Sequence, residues 1–389
     1  MSSVSRSALL KLLTEACELE HGLACSYLYS AMTLRQEPDG KKFSPAQALQ
    51  ARQWASQVYF VASQEMLHLA QAWNLLTALG GTPYYLRPNF PQNTKYYPLH
   101  VRLELEPYGE SALNRFIAYE KPVELLRAED RSEFNTIGEL YNQIEAGIAA
   151  LPNAIIGDAA AQIGPDLIDF PDIIRVVDTD SAHRAIHLVT HQGEGNQTDR
   201  ADCHFGIFIA LKKEFLLAKE LNPEFSPAYP SIKNPTSDTS PQYGAPHATL
   251  IRNPQTKEIA TVFDGLYSLM MRMLGYTFTQ SGDLALRRVF GQTAIVMMVS
   301  VIKPLGEALA RMPATDKLNG CTAGPPFGLT RHVILPADSN VAHFVVTERL
   351  AELTAALTRL AVLPSAPDIL VRVESALRRL PSLNVSISF

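Results

Sequence analysis

Glu65-Met66-Leu67-His68 sits in a stretch, residues 44 to 80, whose apolar residues recur every three or four positions. Val58, Val61, Ala62, Leu69, Ala72, Leu75, Leu76 and Leu79 make one stripe, and the same step places Glu65 and His68 on it. A carboxylate and an imidazole at i and i+3 share a side of a helix and can grip one metal ion together. Charge on a buried stripe needs a partner, because an unpaired buried carboxylate is very costly. A second tetrapeptide of the same form, Glu18-Leu19-Glu20-His21, phases differently. The stripe of that first helix is Leu13, Cys17, Ala24, Tyr27 and Ala31, and Glu20 completes it. Glu18 falls on the polar side, so Glu18 and His21 are expected to be a solvated pair.

Two further segments extend the pattern. Residues 134 to 151 carry the stripe Ile137, Tyr141, Ile144, Ile148 and Leu151, with Glu145 inside it and Glu139 nearly opposite. Asp178-Thr179-Asp180 is a candidate N-cap for a fourth helix, along which His183, His187, His191 and Glu194 follow at spacings of four, four and three on one face. Four helices, each with an inward acid and some with histidine, match the carboxylate-bridged di-metal plan of an all-α, ferritin-like four-helix bundle. The connection from Pro83 to Gly109, rich in proline and tyrosine with a short alternating run from Leu99 to Leu105, supplies the long crossover such a bundle needs. Tyr27, Tyr59 and Tyr141 lie near the stripes, as core residues or as hydrogen-bond partners of the acids.

Beyond the bundle, residues 222–257 are dense in Pro, Ser, Thr and Asn and predict a strap or linker. The expected organisation is therefore a di-metal bundle over 1–221, the strap, and a mostly helical region over 258–389, with helical spacing at 259–274, 283–312, 341–362 and 369–380. A net charge of −5 gives no basic footprint for nucleic acid. Cys17, Cys25, Cys203 and Cys321 form no Cys-x-x-Cys pair, which argues against a zinc knuckle and for a reducing cytoplasm. No export signal is read in the N-terminal stretch, and the apolar run Ala294 to Ile302 is too short to span a bilayer, so no membrane association is expected. Ser-His-Asp spacing, a Gly-x-Ser-x-Gly elbow and phosphate-cradling glycine loops are absent.

Leu19-Glu20-His21-Gly22 with Tyr27-Leu28-Tyr29, Glu65-Met66-Leu67-His68, Thr136-Ile137-Gly138-Glu139-Leu140-Tyr141, Gln192-Gly193-Glu194-Gly195 and Cys203-His204-Phe205 together resemble one family. It is the ferritin-like family named for iminophenylpyruvate dimer synthase, which includes domains of bisindole pigment and indolocarbazole enzymes. Leu266-Tyr267-Ser268-Leu269-Met270-Met271-Arg272, Lys303-Pro304-Leu305-Gly306-Glu307 and Ala323-Gly324-Pro325-Pro326-Phe327 extend the likeness into the C-terminal region. The resemblance implies a metal site at Glu20, Glu65, His68, an acid of the third helix, Glu194 and His204, holding two Fe ions or an Fe/Mn pair. Periodicity selects Glu145 for the third helix. His191 with Glu194, a reversed His-x-x-Glu pair, competes with His204, but the glycines flanking Glu194 permit the backbone distortion that His204 needs. The implied activity is O2-dependent oxidation of a small amino-acid-like or aromatic substrate. Iron storage without turnover and a metal-free scaffold are the alternatives. The sequence leaves room for a small homo-oligomer.

Overall fold

The computed structural model describes residues 5–380 apart from 41–42, 97–100, 127–134, 169, 194–200, 239–246, 280–282, 317–319, 330–333 and 364–365. Two long helices make its spine. Helix α1 (Arg6–Thr33) starts where Ser5 accepts a hydrogen bond from the Ala8 amide, and α2 (Pro45–Ala78) starts with a full capping box between Ser44 and Gln47, with Pro45 in the first turn. Gly80, at φ 88°, then ends α2 in a Schellman motif: Gly81 N–H donates to Leu76 O and Gly80 N–H to Thr77 O. The long connection that follows holds an isolated antiparallel bridge between Gln92 and Leu103.

The all-α, ferritin-like architecture is present, but the two remaining rods are each broken. Helix α3 (Glu110–Tyr119) and α4 (Ile137–Ala150) occupy the place expected for one helix, and α5 (Thr179–Gly193) and α6 (His204–Leu221) the place of the other. Helix α3 packs on α6 and α4 on α5, while α4 and α5 also touch α1 and α2 respectively. Both interruptions fall beside the acid-bearing level of α1 and α2, which frees the ends α3, α5 and α6 present there from continuous helical geometry.

The strap meets the spine by main-chain bonds: Tyr229 N–H donates to Thr33 O and Arg35 N–H to Pro227 O. A two-residue parallel pairing joins β1 (Pro235–Thr236) to β2 (Thr249–Leu250). Helix α7 (Pro254–Thr277), α8 (Leu284–Met297), a π turn (Met298–Ile302), α9 (Lys303–Leu309), α10 (Ser339–Ala361) and α11 (Ile369–Arg378) complete the chain. One hydrophobic cluster runs from Leu9 to Leu380, in which α9 packs on α1 and Tyr267 of α7 reaches His21 and Cys25 on its outer side. The apolar run taken as too short to span a membrane is part of a 26-residue helical stretch, Leu284–Leu309, that is long and apolar enough by composition. Half of that window is buried within the fold.

Candidate metal centre

Three acids and two histidines converge between the broken helices. Glu20 comes from α1, Glu65 and His68 from α2, His204 from the first position of α6, and Glu120 from the residue that caps the C-terminus of α3. None is more than 5% exposed. His68 Nδ1 lies 3.3 Å from Glu65 Oε2 and 3.6 Å from Glu20 Oε2. His204 Nδ1 lies 2.7 Å from Glu65 Oε1 and 3.7 Å from Glu120 Oε2. The two imidazoles stack at 5.3 Å between centroids. One donor atom each from Glu65, His68 and His204 falls within 4.8 Å of the others.

The outer atoms are held by hydrogen bonds that point the inner ones at each other. His68 Nε2 pairs with Gln192 Oε1 at 2.9 Å, and His204 Nε2 with Gln64 Oε1 at 3.0 Å. A nitrogen that donates to an amide oxygen keeps its proton, so when a metal displaces the Nδ1 proton each ring has its Nδ1 lone pair turned toward the carboxylates, the tautomer a metal requires. Tyr141 donates to Glu20 Oε1 at 2.7 Å and Tyr27 to Glu120 Oε1. Tyr59 instead donates to Glu307, away from the cluster. Despite their 2.7 Å approach, Glu65 Oε1 and His204 Nδ1 have no aligned hydrogen-bond partner among the described residues. A buried acid and imidazole that meet as a close but misaligned ion pair are placed as two ligands of one cation would be. A cavity of about 20 Å³, bounded by Glu20, Glu65, His68, Glu120, Tyr141 and Gly193 among others, lies beside Glu65 within the cluster.

Electrostatics agree. Burial, helped by the charge of Glu65, pushes Glu20 up to about 7 against the pull of His68. Burial opposes protonation of His204, yet Glu65 and Glu120 overcome it and raise the imidazole to about 9. His68 is likewise raised well above the usual histidine range, Glu65 and Glu20 outweighing its desolvation. Glu65 is buried and repelled by Glu120, but His204 and His68 hold it below the ordinary carboxylate value. The cluster thus gathers protons in place of cations, and its oxygen and nitrogen donors fit a divalent transition metal.

Of the residues the sequence pointed to, Glu20, Glu65, His68 and His204 are brought together. Glu145 is not: it lies on the far part of α4, partly exposed, and pairs with His183. Its stripe position faces α5 rather than the acids, because α4 starts only at Ile137 and passes the cluster at Gly138 and Tyr141. Glu120 takes that place. Its signal was present in Leu113, Phe116 and Glu120, which step by three and four, but the helix is short. Glu139 closes a capping box with Thr136. His183, His187 and His191 lie on the exposed face of α5, and Gln192, the residue after His191, is the one that reaches His68. Glu194 lies outside the described residues. His21 is buried rather than solvated, pairing with Tyr85 O at 2.7 Å and with the Tyr267 hydroxyl. Tyr267 of α7 reaches the face of α1 that would otherwise have been polar.

This arrangement defines a ferritin-like carboxylate and histidine centre, and comparison with known proteins agrees. Residues 13–213 match the Ferritin-like family, and the chain belongs to it. The chain is 29% identical over 338 residues to dichlorochromopyrrolate synthase of Lentzea aerocolonigenes, a match covering 78% of this chain and 32% of that protein. It is 27% identical over 348 residues to 2-imino-3-(indol-3-yl)propanoate dimerase of Chromobacterium violaceum, covering 83% and 34%. The matches thus span about a third of the length of these two relatives. A ferritin-like protein from Caulobacter vibrioides superposes with a TM-score of 0.54 at 17% identity, over 81% of this chain and 96% of that one, which supports the fold.

Proposed function

We propose that the chain is a non-haem di-metal oxidoreductase, di-iron by its donor set with Fe/Mn as the variant, that activates O2 to oxidise a small amino-acid-derived or aromatic metabolite. The observation that carries this is the convergence of buried Glu20, Glu65 and Glu120 on His68 and His204, both turned Nδ1-inward, with Glu65 Oε1 and His204 Nδ1 close but not aligned for a hydrogen bond. Glu20, Glu65, His68, Glu120 and His204 would hold the metals, Glu65 lying within 3.3 Å of His68 and 2.7 Å of His204. Bound there, the metals would supply the redox chemistry of oxygen reduction. Gln64 and Gln192 keep the rings in the ligating tautomer, and Tyr141 and Tyr27 orient Glu20 and Glu120 by donating to one oxygen of each. Residues 1–221 form the metal-bearing unit in this scheme, 222–257 the strap, and 258–389 the helical cover. The two curated relatives, one named for an indolyl imino acid, support the substrate class.

Elemental analysis after anaerobic Fe(II) loading tests the proposal. About two ions per chain are expected, as in carboxylate-bridged bundles, and Glu65→Ala with His68→Ala should remove them. A stoichiometry near zero, or one unchanged in the double variant, would overturn it.

A further inference from the structure

A second and much larger cavity, of about 480 Å³, lies on the other side of the α1–α2 pair, roofed by α7 and the π turn. Its size falls within the range of small-molecule sites. Its lining runs along α1 from His21 to Met32 and on to Gln36, and along α2 from Trp73 back to Arg52. The helical part of that wall, His21 to Met32, alone covers about 16 Å at 1.5 Å per residue. The π turn places Met298, Val299 and Ile302 in the lining, a backbone irregularity of the kind that often marks function.

The two ends differ in chemistry. At the inner end His21 is neutral, held well below the usual histidine range by burial and by Arg87, and its ring pairs with the Tyr85 carbonyl and the Tyr267 hydroxyl. Tyr267 also meets Cys25 Sγ at 3.0 Å. No charged side chain lines that end, since Arg87 stands behind His21 and Tyr267 and outside the lining. The body is walled by the rings of Tyr59, Trp73, Phe170 and Phe278 and by flexible thioethers such as Met66 and Met270, surfaces that favour a flat aromatic guest through ring and sulfur contacts. The end at Gln36 and Arg52 is where charge lies: the Glu307 carboxylate accepts from Gln36, Tyr59 and Lys303 there, which leaves Arg52 as the cation without an acid partner among the described residues. Exposed Arg52 donates to Gln36 O at 2.7 Å and makes no ion pair among the described residues. Lys303 stands at the same opening, 4.9 Å from the Tyr59 ring centroid, its charge shared with Glu307 at 2.8 Å.

We propose that this channel binds an aryl carboxylate, ring inward among the aromatic and methionine side chains and carboxylate outward against Arg52 and Lys303. A neutral guest would leave the mouth unused, and a straight acyl chain would gain less from the aromatic walls. None of the residues of the metal centre lines this channel, so the site stands apart from the di-metal proposal. Glu20 and His21 are sequence neighbours that face the two cavities separately.

The test is calorimetric titration of metal-free, full-length protein with indole-3-propanoate, 3-propylindole and decanoate, alongside Arg52→Ala and Val299→Trp. Both substitutions are at exposed positions, so folding is spared. Indole-3-propanoate should bind one per chain and more tightly than either comparison ligand. Arg52→Ala should weaken it about tenfold, the size of one charge-assisted hydrogen bond, while leaving 3-propylindole unchanged, and Val299→Trp should weaken both indoles by narrowing the opening. Absence of binding to the unsubstituted protein, equal affinity in both variants, or preference for decanoate would each overturn the proposal. Because no metal is present, none of these outcomes bears on the di-metal centre.

Discussion

Glu20 and His21 stand side by side on α1, about 100° apart around the helix, and serve two buried sites with opposite electrostatic character. The inner site crowds Glu20, Glu65 and Glu120 around two histidines and leaves polar atoms without aligned partners. The outer one surrounds a neutral, hydrogen-bonded His21 with apolar and aromatic side chains. Burial is common to both, so burial does not tell them apart. What does is whether the polar atoms are already satisfied: an acid-rich cluster with misaligned donors and acceptors calls for a cation, whereas a satisfied polar end on an apolar channel calls for an organic molecule.

The largest effect that could break this contrast is at His204. His204→Ala should cost more than about 100-fold in metal affinity, beyond the 10–100-fold typical of residues that only orient a ligand. His191→Ala, on the exposed face of α5, should stay within that lower range. Fe(II) or Mn(II) titration of protein checked for helical content measures both, and the reverse order would move the fourth-helix ligand to His191. Next in size is the third acid. Glu120→Gln should weaken metal binding about 10–100-fold and lower the stoichiometry, whereas Glu145→Gln should change neither, since Glu145 meets His183 instead.

That pair of substitutions also shows how far the sequence could be read. Periodicity located Glu20, Glu65 and His68 because α1 and α2 are long, regular helices whose stripe is repeated over many turns. It failed for the third acid because the rod is split: α3 has 10 residues, its acid is the capping residue, and the better-defined stripe of α4 pointed past the cluster to Glu145. His204 was legible through family resemblance and the glycines around Glu194, not through helical phase, since it opens a new helix. His21 was misplaced for a different reason. A hydrophobic stripe tells which side of a helix faces its nearest partners, and cannot announce that Tyr267 of α7, more than two hundred residues later, will reach the other side as well.

Acidity sharpens the contrast further. In the metal-free protein the folded-state values of Glu20 and His204 both lie above their unfolded ones. The stability Glu20 contributes is fully present below its ordinary 4.5 and is lost as pH rises through about 7. That of His204 is present below 6.5 and lost as pH rises through about 9. In both cases the folded state binds more protons than the unfolded one, so stability falls with rising pH across the combined window. Thermal melts of metal-free protein should show this decline, and Mn(II) should reverse its sign, because metal binding displaces those protons and strengthens as pH rises. A metal-free melting temperature that rises from pH 5 to 9, about the span of these two shifts, would contradict the electrostatics of the inner site.

The smallest expected effects belong to the outer face, and they decide whether the two sites are separate. His21→Gln removes a ring that bridges the Tyr85 carbonyl and the Tyr267 hydroxyl, and the shorter glutamine amide cannot reproduce both bonds in the same orientation. Its cost should be about 1–3 kcal/mol, the range for a buried group left unpaired, read as a shift in denaturant midpoint. Tyr267 keeps its contact with Cys25, which limits the damage. Glu18→Gln, at a half-buried position beside Tyr84, should stay within about 0.5 kcal/mol as a surface change that preserves an acceptor. Neither should alter metal stoichiometry, since neither side chain lines the acid-rich cavity. If His21→Gln removed metal while the protein stayed folded, α1 would be coupling its two faces instead of dividing them, and the separation of the channel from the metal centre would fail.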